Sequence, residues 1–508
     1  MFSIAFSFFF LLLSSKGQVR FNRLFSSEVN EICQNVIVVN DGYIICTGTD
    51  TSGWRCFRLI KTDLEGNVVW NRKYGNPGER YYEGWENSLF SITDNNFILI
   101  GSHYPNPDNM HKRPFIAIFD SEGDSVLFRF YEFGLTRQSG YHGIITDDGG
   151  YAITGQYFEY TDSTMEDYSL GDAYLLKLDS AYNFEWYRNY GGNDYDATVK
   201  VVQTSDGGYM LGGMTYSYSS SRDWYIVKTD SLGNEEWHKI LGSSYYDLEI
   251  KGMIRTMDGN IVVTGERTLY FNNSTGYREY NARILKINNS DSIIWDKEYS
   301  VYYDVAEPND TSYGIFFSLI ELPNQDIALM CKGKTQFGSD LRSKSILFKL
   351  NSIGDSIWTR RFHYPNYDFQ DYDAILDVLK PTADGGFIMA GWTEHNYLTP
   401  MQQVWLVKTD SLGWDGTFIR EYRQPAITVE VYPNPTSGSF TIYLISEKAE
   451  HTVHTYILYN LVGQQVSAGS MNERVMKQVD ITDQPSGIYL LTIEKNGRVV
   501  FGTKVIKR

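Results

Sequence analysis

The segment TSDGGYMLGGMT, residues 204–215, sets a turn signal (Asp206, Gly207, Gly208) against a short apolar run (Tyr209, Met210, Leu211) and closes on glycine. Near copies are DDGGYAITGQY from Asp147, MDGNIVVTGER from Met257 and ADGGFIMAGWT from Ala383. Self-similarity at a fixed spacing marks a repeat architecture. The turn Asp, or its stand-in, falls at Asp41, Asp94, Asp148, Asp206, Asp258, Asn324 and Asp384, at intervals of 53, 54, 58, 52, 66 and 60 residues. Glycine follows seven residues later in six of the seven (Gly48, Gly101, Gly155, Gly213, Gly265, Gly391), and Cys331 takes the slot in the sixth.

After each glycine comes a second strand, such as WYIVKTD (Trp224–Asp230). A further turn leads to a strand with an aromatic near its start: Trp70, Phe128, Trp186, Trp237, Trp295 or Trp358. The runs are four to six residues long, alternating or apolar, and bounded by Asp, Asn, Gly and Ser. Each repeat therefore reads as a four-stranded antiparallel meander. One such sheet cannot bury both faces, whereas seven set radially can, which predicts a seven-bladed β-propeller over residues 18–424.

The termini add a check. The seventh repeat lacks its aromatic fourth strand, while VRFNRLF (Val19–Phe25) matches VVWNRKY (Val68–Tyr74), with Phe21 in the Trp70 slot. A strand from the N-terminus is expected to complete the last blade and remove an open edge.

Of the 508 residues, 15% are aromatic and 21% charged, and the net charge is −17. Such a surface argues against nucleic acid and anionic membrane as partners. Residues 1–17 read as a secretory signal peptide, an apolar run (Phe2–Leu13) followed by small residues, with no Lys or Arg before it. No later segment has the roughly 18 apolar residues of a membrane helix. The four cysteines (Cys33, Cys46, Cys56, Cys331) form no CxxC pair. Cys46 and Cys56 could pair across neighbouring strands, and a free, buried Cys331 is equally consistent.

The repeats stop near Arg423-Gln424-Pro425, and residues 425–428 read as a linker. From Val429 to Arg508 the net charge is +1, against −18 for the rest. Short alternating strands there predict a small Ig-like β-sandwich. This segment resembles the C-terminal sorting domain of type IX secretion in Bacteroidota. The matching residues are Tyr432-Pro433-Asn434-Pro435 with Gly438, then Tyr459-Asn460 with Gly463 and Val466, then Gly487-Ile488-Tyr489-Leu490, and Lys504 and Lys507 at the end. The resemblance implies passage to the outer surface or the medium. It also implies recognition by the translocon, and usually removal by a sortase.

Counting back ten or eleven residues from the turn position gives a carboxylate in five repeats: Glu31, Glu83, Asp196, Asp247 and Asp373. Near a channel mouth these could hold a cation such as calcium or magnesium. Alternatively each caps its own strand start by accepting backbone N–H bonds. Tyr81, Tyr82, Trp85, Tyr195, Tyr245, Tyr246 and Tyr372 crowd the same loops, where they suit sugar or protein contact or packing between blades. No HExxH, GxSxG, P-loop or dinucleotide fingerprint occurs, so no catalytic residues and no organic cofactor are assigned. His142 alone invites inspection, with a structural role expected. Two functions remain: a binding module for a glycan or protein, and a hydrolase or lyase acting on polysaccharide, which would need coupled acids in a deep channel. Finally, Asp-Ser followed by a small or apolar residue or Thr recurs at Ser125, Ser163, Ser180, Ser231, Ser292, Ser356 and Ser411. It resembles the O-glycosylation acceptor of exported Bacteroidota proteins, although Asp and Ser also suit turns.

Overall fold

A computed structural model describes the chain from residue 18 onward, except residues 26, 28, 52–53, 94, 107–110, 134–136, 159–170, 219–220, 243–249, 273–276, 302–313, 338–339, 363–372, 395–400, 417–426, 447–452, 461–463, 473–474 and 496–497. The expected signal peptide, Asp247, Ser163, Gly463, Tyr245, Tyr246 and Tyr372 lie outside the described residues. The described structure is all-β, and residues 1–417 and 418–508 form two compact units.

In the first unit most repeats are four-stranded antiparallel meanders. The third runs Arg137–Ile145, Tyr151–Phe158, Gly171–Leu178, Phe184–Tyr190, and the fourth runs Asp196–Gln203, Tyr209–Thr215, Asp223–Thr229, Glu235–Leu241. The fifth and sixth repeats begin at Ile250–Arg255 and Ile315–Glu321. The last repeat holds Ala374–Pro381, Phe387–Glu394 and Gln402–Thr409, and Phe21–Phe25 pairs antiparallel with the last of these, from Phe21↔Lys408 to Phe25↔Val404.

The first two repeats depart from the meander. Their strands belong to one nine-stranded sheet, because Arg80–Glu83 pairs with Asn96–Tyr104 and also bridges Arg55. The inner strand of the second repeat is thereby split into Arg80–Glu83 and Leu89–Ser91, with Gly84–Ser88 looping out between them. The inner strand of the first repeat, Glu31–Val39, touches the inner strand of the last.

The turn Asp recurs because it does three jobs. Asp206 accepts from Thr204 Oγ1 at 2.5 Å and from the Gly208 N–H at 3.1 Å, and it meets Lys228 Nζ at 3.1 Å. Burial alone would raise its carboxyl, but the bonds from Thr204, Gly208 and Lys228 prevail and hold it below the usual carboxylate range. The third-strand lysine that answers it is buried, as are its counterparts Lys61, Lys177, Lys286 and Lys408 on Asp41, Asp148, Asp258 and Asp384. A buried ammonium needs such a partner.

The glycine seven residues on has a different cause. In the fourth repeat Thr198 faces Gly213 and Lys200 faces Gly212, so Val199 is a bulge. A Cβ built on Gly213 would overlap the Ala197 carbonyl oxygen, and Gly155 and Gly391 stand in the same way against Ser139 and Ile375. The bulge folds the inner strand over its partner, and only a residue without a side chain leaves room. Where Cys331 fills the slot, the ladder is instead interrupted over two residues, Phe317 and Ser318.

All four cysteines are free thiols and buried. The Cys46–Cys56 pairing that the sequence left open does not form, because Cys46 faces Leu59 while Cys56 faces Thr49.

The second unit is built of two antiparallel sheets, one with three strands and one with four, around a core including Phe440, Leu458, Leu491 and Val505. Its first strand begins at Ile427, inside the expected linker, because Ile427 and Thr428 already pair with Ser446 and Ile445.

Gly213→Ala is predicted to lower stability by about 2–3 kcal/mol through overpacking against the Ala197 carbonyl. Urea denaturation measures it, and a loss below about 0.5 kcal/mol would contradict the close approach.

Candidate functional site

The bulges fall at an equivalent strand position in six repeats, at Gln34, Tyr141, Val199, Lys251, Phe317 and Asp377, each seven residues before its turn position. In the second repeat the loop Gly84–Ser88 takes this place, and it holds Asn87 in the left-handed region, with φ at 69°. This loop reaches other repeats. Its Glu86 pairs with Lys200 at 2.9 Å, both side chains being buried, although 114 residues separate them. Its Trp85 donates a backbone N–H to the Tyr141 carbonyl at 2.7 Å, packs its ring 5.4 Å from that of Tyr141, and lies 5.1 Å beneath Lys251 Nζ.

Asp377, from the last repeat, is buried in the same neighbourhood. Burial and the Glu86 charge push its carboxyl up to about 7, against the opposing pull of Lys332 and Lys251. Burial pulls Lys380 down to about 8, with Lys200 adding to it. His142 is buried one residue past the Tyr141 bulge, and its Nδ1 accepts the Val201 N–H at 3.3 Å. Burial, then Lys200 and Lys380, hold the imidazole well below its ordinary pKa, so it is neutral.

A second group adjoins this one through Tyr141. Lys112 Nζ lies 5.7 Å from the Tyr82 ring, 5.3 Å from Tyr104 and 5.6 Å from Tyr141. Arg55 sits 4.8 Å over Tyr82, and Arg137 lies 5.7 Å from both the Tyr104 and Phe158 rings. A run of half-buried cations and aromatics thus extends from Arg55 through Lys112 to Trp85 and Lys251.

The described carboxylates counted from the sequence are each engaged at their strand starts. Glu31 pairs with Arg58 and accepts from Thr49 at 3.1 Å, and Glu83 meets Arg55 at 3.4 Å. Burial raises both acids against those arginines. Asp196 accepts from the Gly192 N–H at 2.8 Å and Ser217 Oγ at 2.6 Å, and Asp373 accepts from the Ser343 N–H. Among the described residues no three His, Cys, Asp or Glu side chains gather as a metal site. Of the aromatics singled out, Tyr81 is core, packed on Phe57 and Phe115. Tyr82, Trp85 and Tyr195 are half-buried. Sequence reading missed Glu86, Lys112, Lys200, Lys251 and Asp377, because neither a repeated residue nor a motif marks them.

Around the sorting motif, Asn434 Nδ2 donates to the Lys504 carbonyl at 2.6 Å and its Oδ1 accepts the Ile506 N–H at 2.9 Å. Lys507 is buried and donates to the Thr482 carbonyl at 2.6 Å, while Lys504, Tyr432 and Gly487 are exposed. Pro433 and Pro435 flank Asn434, and a Cβ on Gly438 would press on Thr482. The motif therefore ties the start of this unit to the chain's last strand.

Residues 430–508 match the family described as the secretion system C-terminal sorting domain. This is a type IX sorting domain, so the chain is exported to the cell surface or secreted. No helix of the described residues is long and apolar enough to cross a membrane. Over 83 residues the chain is 34% identical to ulvan lyase NLR42 of Nonlabens ulvanivorans, a match that covers 16% of this chain and 15% of that protein. The chain thus spans about a seventh of that relative's length. Similar solved structures include alpha-L-arabinanase of Penicillium chrysogenum in complex with arabinobiose, at 11% identity and a TM-score of 0.36, over 78% of this chain and 98% of that chain. Xylan beta-1,4-xylosidase of Bacillus halodurans C-125 aligns at 13% identity and a TM-score of 0.27, over 96% of this chain and 97% of that chain. Likeness of this degree assigns no activity.

Asp377 generates a pH prediction. Its folded pKa, about 7, lies above the ordinary 3.8, so between those values the folded state keeps a proton that the unfolded chain has lost. Stability from this group is full below about pH 4 and falls as pH rises through 7. Asp377→Asn should remove that decline, read as the difference between variant and parent in urea titrations from pH 4 to 8. A parallel pair of curves would contradict the buried, protonated carboxyl.

Proposed function

We propose that residues 18–424 close into a seven-bladed β-propeller, with the N-terminal strand completing the last blade, and that the exported protein is a binding module for an extracellular glycan or protein. The observation that carries this is the half-buried run of cations and aromatics from Arg55 to Lys251. Rings with one wet face and cations held between them suit contact with a polar ligand. The acids at the strand starts serve as anchors in this reading and not as ligands for calcium or magnesium. A polysaccharide hydrolase or lyase is the second reading, favoured by the protonated Asp377, which has the pKa of a general acid. Its neighbour Glu86 is, however, committed to Lys200.

A glycan and peptide array probed with the exported protein tests this. Selective hits weakened by Trp85→Ala are expected. Turnover of a polysaccharide that Asp377→Asn abolishes would move the assignment to the second reading.

We further propose that the translocon reads residues 429–508 and a sortase removes them, and that exposed Ser125, Ser180, Ser231, Ser292, Ser356 and Ser411 carry sugars. The bonds that Asp179, Asp230 and Asp410 accept from their own turns explain those aspartates without a glycan. Intact-mass spectrometry of the protein from its host reads both proposals. A polypeptide trimmed at both ends with added hexose-sized increments is expected, and a full-length, unadorned mass would refute them.

A further inference from the structure

Lys112 is an isolated cation in an unusual setting. Three tyrosine rings surround its ammonium, and among the described residues it makes no ion pair. Among the described residues, the groups facing it are Tyr82, Tyr104, Tyr141 and Arg137. Arg137 Nη2 donates to the Tyr104 hydroxyl at 3.0 Å, and the Arg80 charge also reaches that phenol. Two described acids beside Tyr82 serve another cation: Arg55 over Tyr82 is paired with Asp50 at 3.1 Å and Glu83 at 3.4 Å. Burial, with the Arg137 charge added, pulls Lys112 down to about 7. Two cations converge on one ring system, and among the described residues no acid pairs with Lys112, an arrangement that an incoming anion relieves.

We infer that the Lys112 cage receives the acidic group of a glycan, a sugar carboxylate or sulfate seated against Lys112 and Arg137, with the sugar ring lying on the tyrosine faces. This rests on the binding-module reading and names its ligand class. Ammonium and guanidinium supply charge-assisted bonds to the anion. The flat faces of Tyr82 and Tyr104 supply apolar area for the C–H side of a sugar ring. The net charge of −17 works against an acidic polymer elsewhere on the surface, so recognition is confined to this patch. An acidic peptide brings the carboxylate without the ring and is the competing outcome.

The test is isothermal titration of the exported protein with a galacturonic acid oligomer, a sulfated galactose oligomer, the methyl-esterified neutral galacturonic oligomer and poly-glutamate. Both acidic glycans stay charged from pH 6 to 8. At least one is expected to bind, with the neutral oligomer and poly-glutamate at least tenfold weaker. Affinity should fall several-fold from pH 6 to 8 as Lys112 loses its proton. Lys112→Met should cost tenfold or more at pH 6. Lys112→Arg, which stays charged, should keep the binding and lose the pH dependence, which separates Lys112 from Glu83 as the titrating group. Thermal melts confirm that each variant is folded, and Arg137→Gln provides a second variant. The inference is overturned by equal binding of the neutral oligomer, by preference for poly-glutamate, by parental affinity in Lys112→Met, or by binding of neither acidic glycan. Array hits for a neutral glycan or a protein would in those cases leave the binding module standing.

Discussion

The pairing of Phe21–Phe25 with Gln402–Thr409 is the interaction on which the rest of the first unit depends. It joins residues nearly 400 positions apart and gives the last repeat its fourth strand. The same packing recurs around the repeats: Trp70 lies on Gly123, Trp186 on Gly233, Trp295 on Gly354 and Trp358 on Gly413, each the outer aromatic of one repeat against a turn glycine of the next. Phe21 lies on Gly66 in the same way, so the strand that completes the last repeat meets the first repeat as these four outer aromatics meet their neighbours. The cluster of Phe21, Val36, Ile45, Ile388 and Val404 draws on both ends of the repeat array. Without Phe21–Phe25, Gln402–Thr409 would be an open edge strand, and an open edge invites association with other chains.

What was legible in the sequence was the scaffold. The turn Asp repeats because a buried lysine and two local donors need it, and the glycine repeats because a bulge carbonyl lies against it. Constraints that recur along the chain leave the same residue in all but the sixth repeat, where Asn324 and Cys331 stand instead. The position seven residues before the turn obeys the opposite logic. It breaks the ladder in each repeat, by a single bulge, by two residues in the sixth or by the Gly84–Ser88 loop in the second, while its side chain is free to differ, and it reads Gln34, Asn87, Tyr141, Val199, Lys251, Phe317 and Asp377. Counting back ten or eleven residues found acids because the residue type recurs at that spacing, while the residues that gather charge do not recur.

The loop in the second repeat shows why the candidate site resisted sequence reading. Gly84–Ser88 adds length to an inner strand without changing the 53-residue spacing enough to stand out. Yet it delivers Trp85 and Glu86 to Tyr141, Lys200 and Lys251 in three later repeats. Such contacts join repeats far apart in sequence, and spacing along the chain says nothing of them. The sorting domain lies at the other extreme: a run of near-contiguous motifs, in order, was enough to place the protein outside the cell, and the family match at residues 430–508 agrees.

Deleting Val19–Phe25 and following thermal unfolding is the most direct test of closure by the N-terminal strand. Loss of one strand of the last sheet, with the buried contacts of Phe21, predicts a midpoint lower by on the order of 10 °C, or aggregation through the open edge. A truncated protein that stays monomeric and melts with the parent would contradict the account.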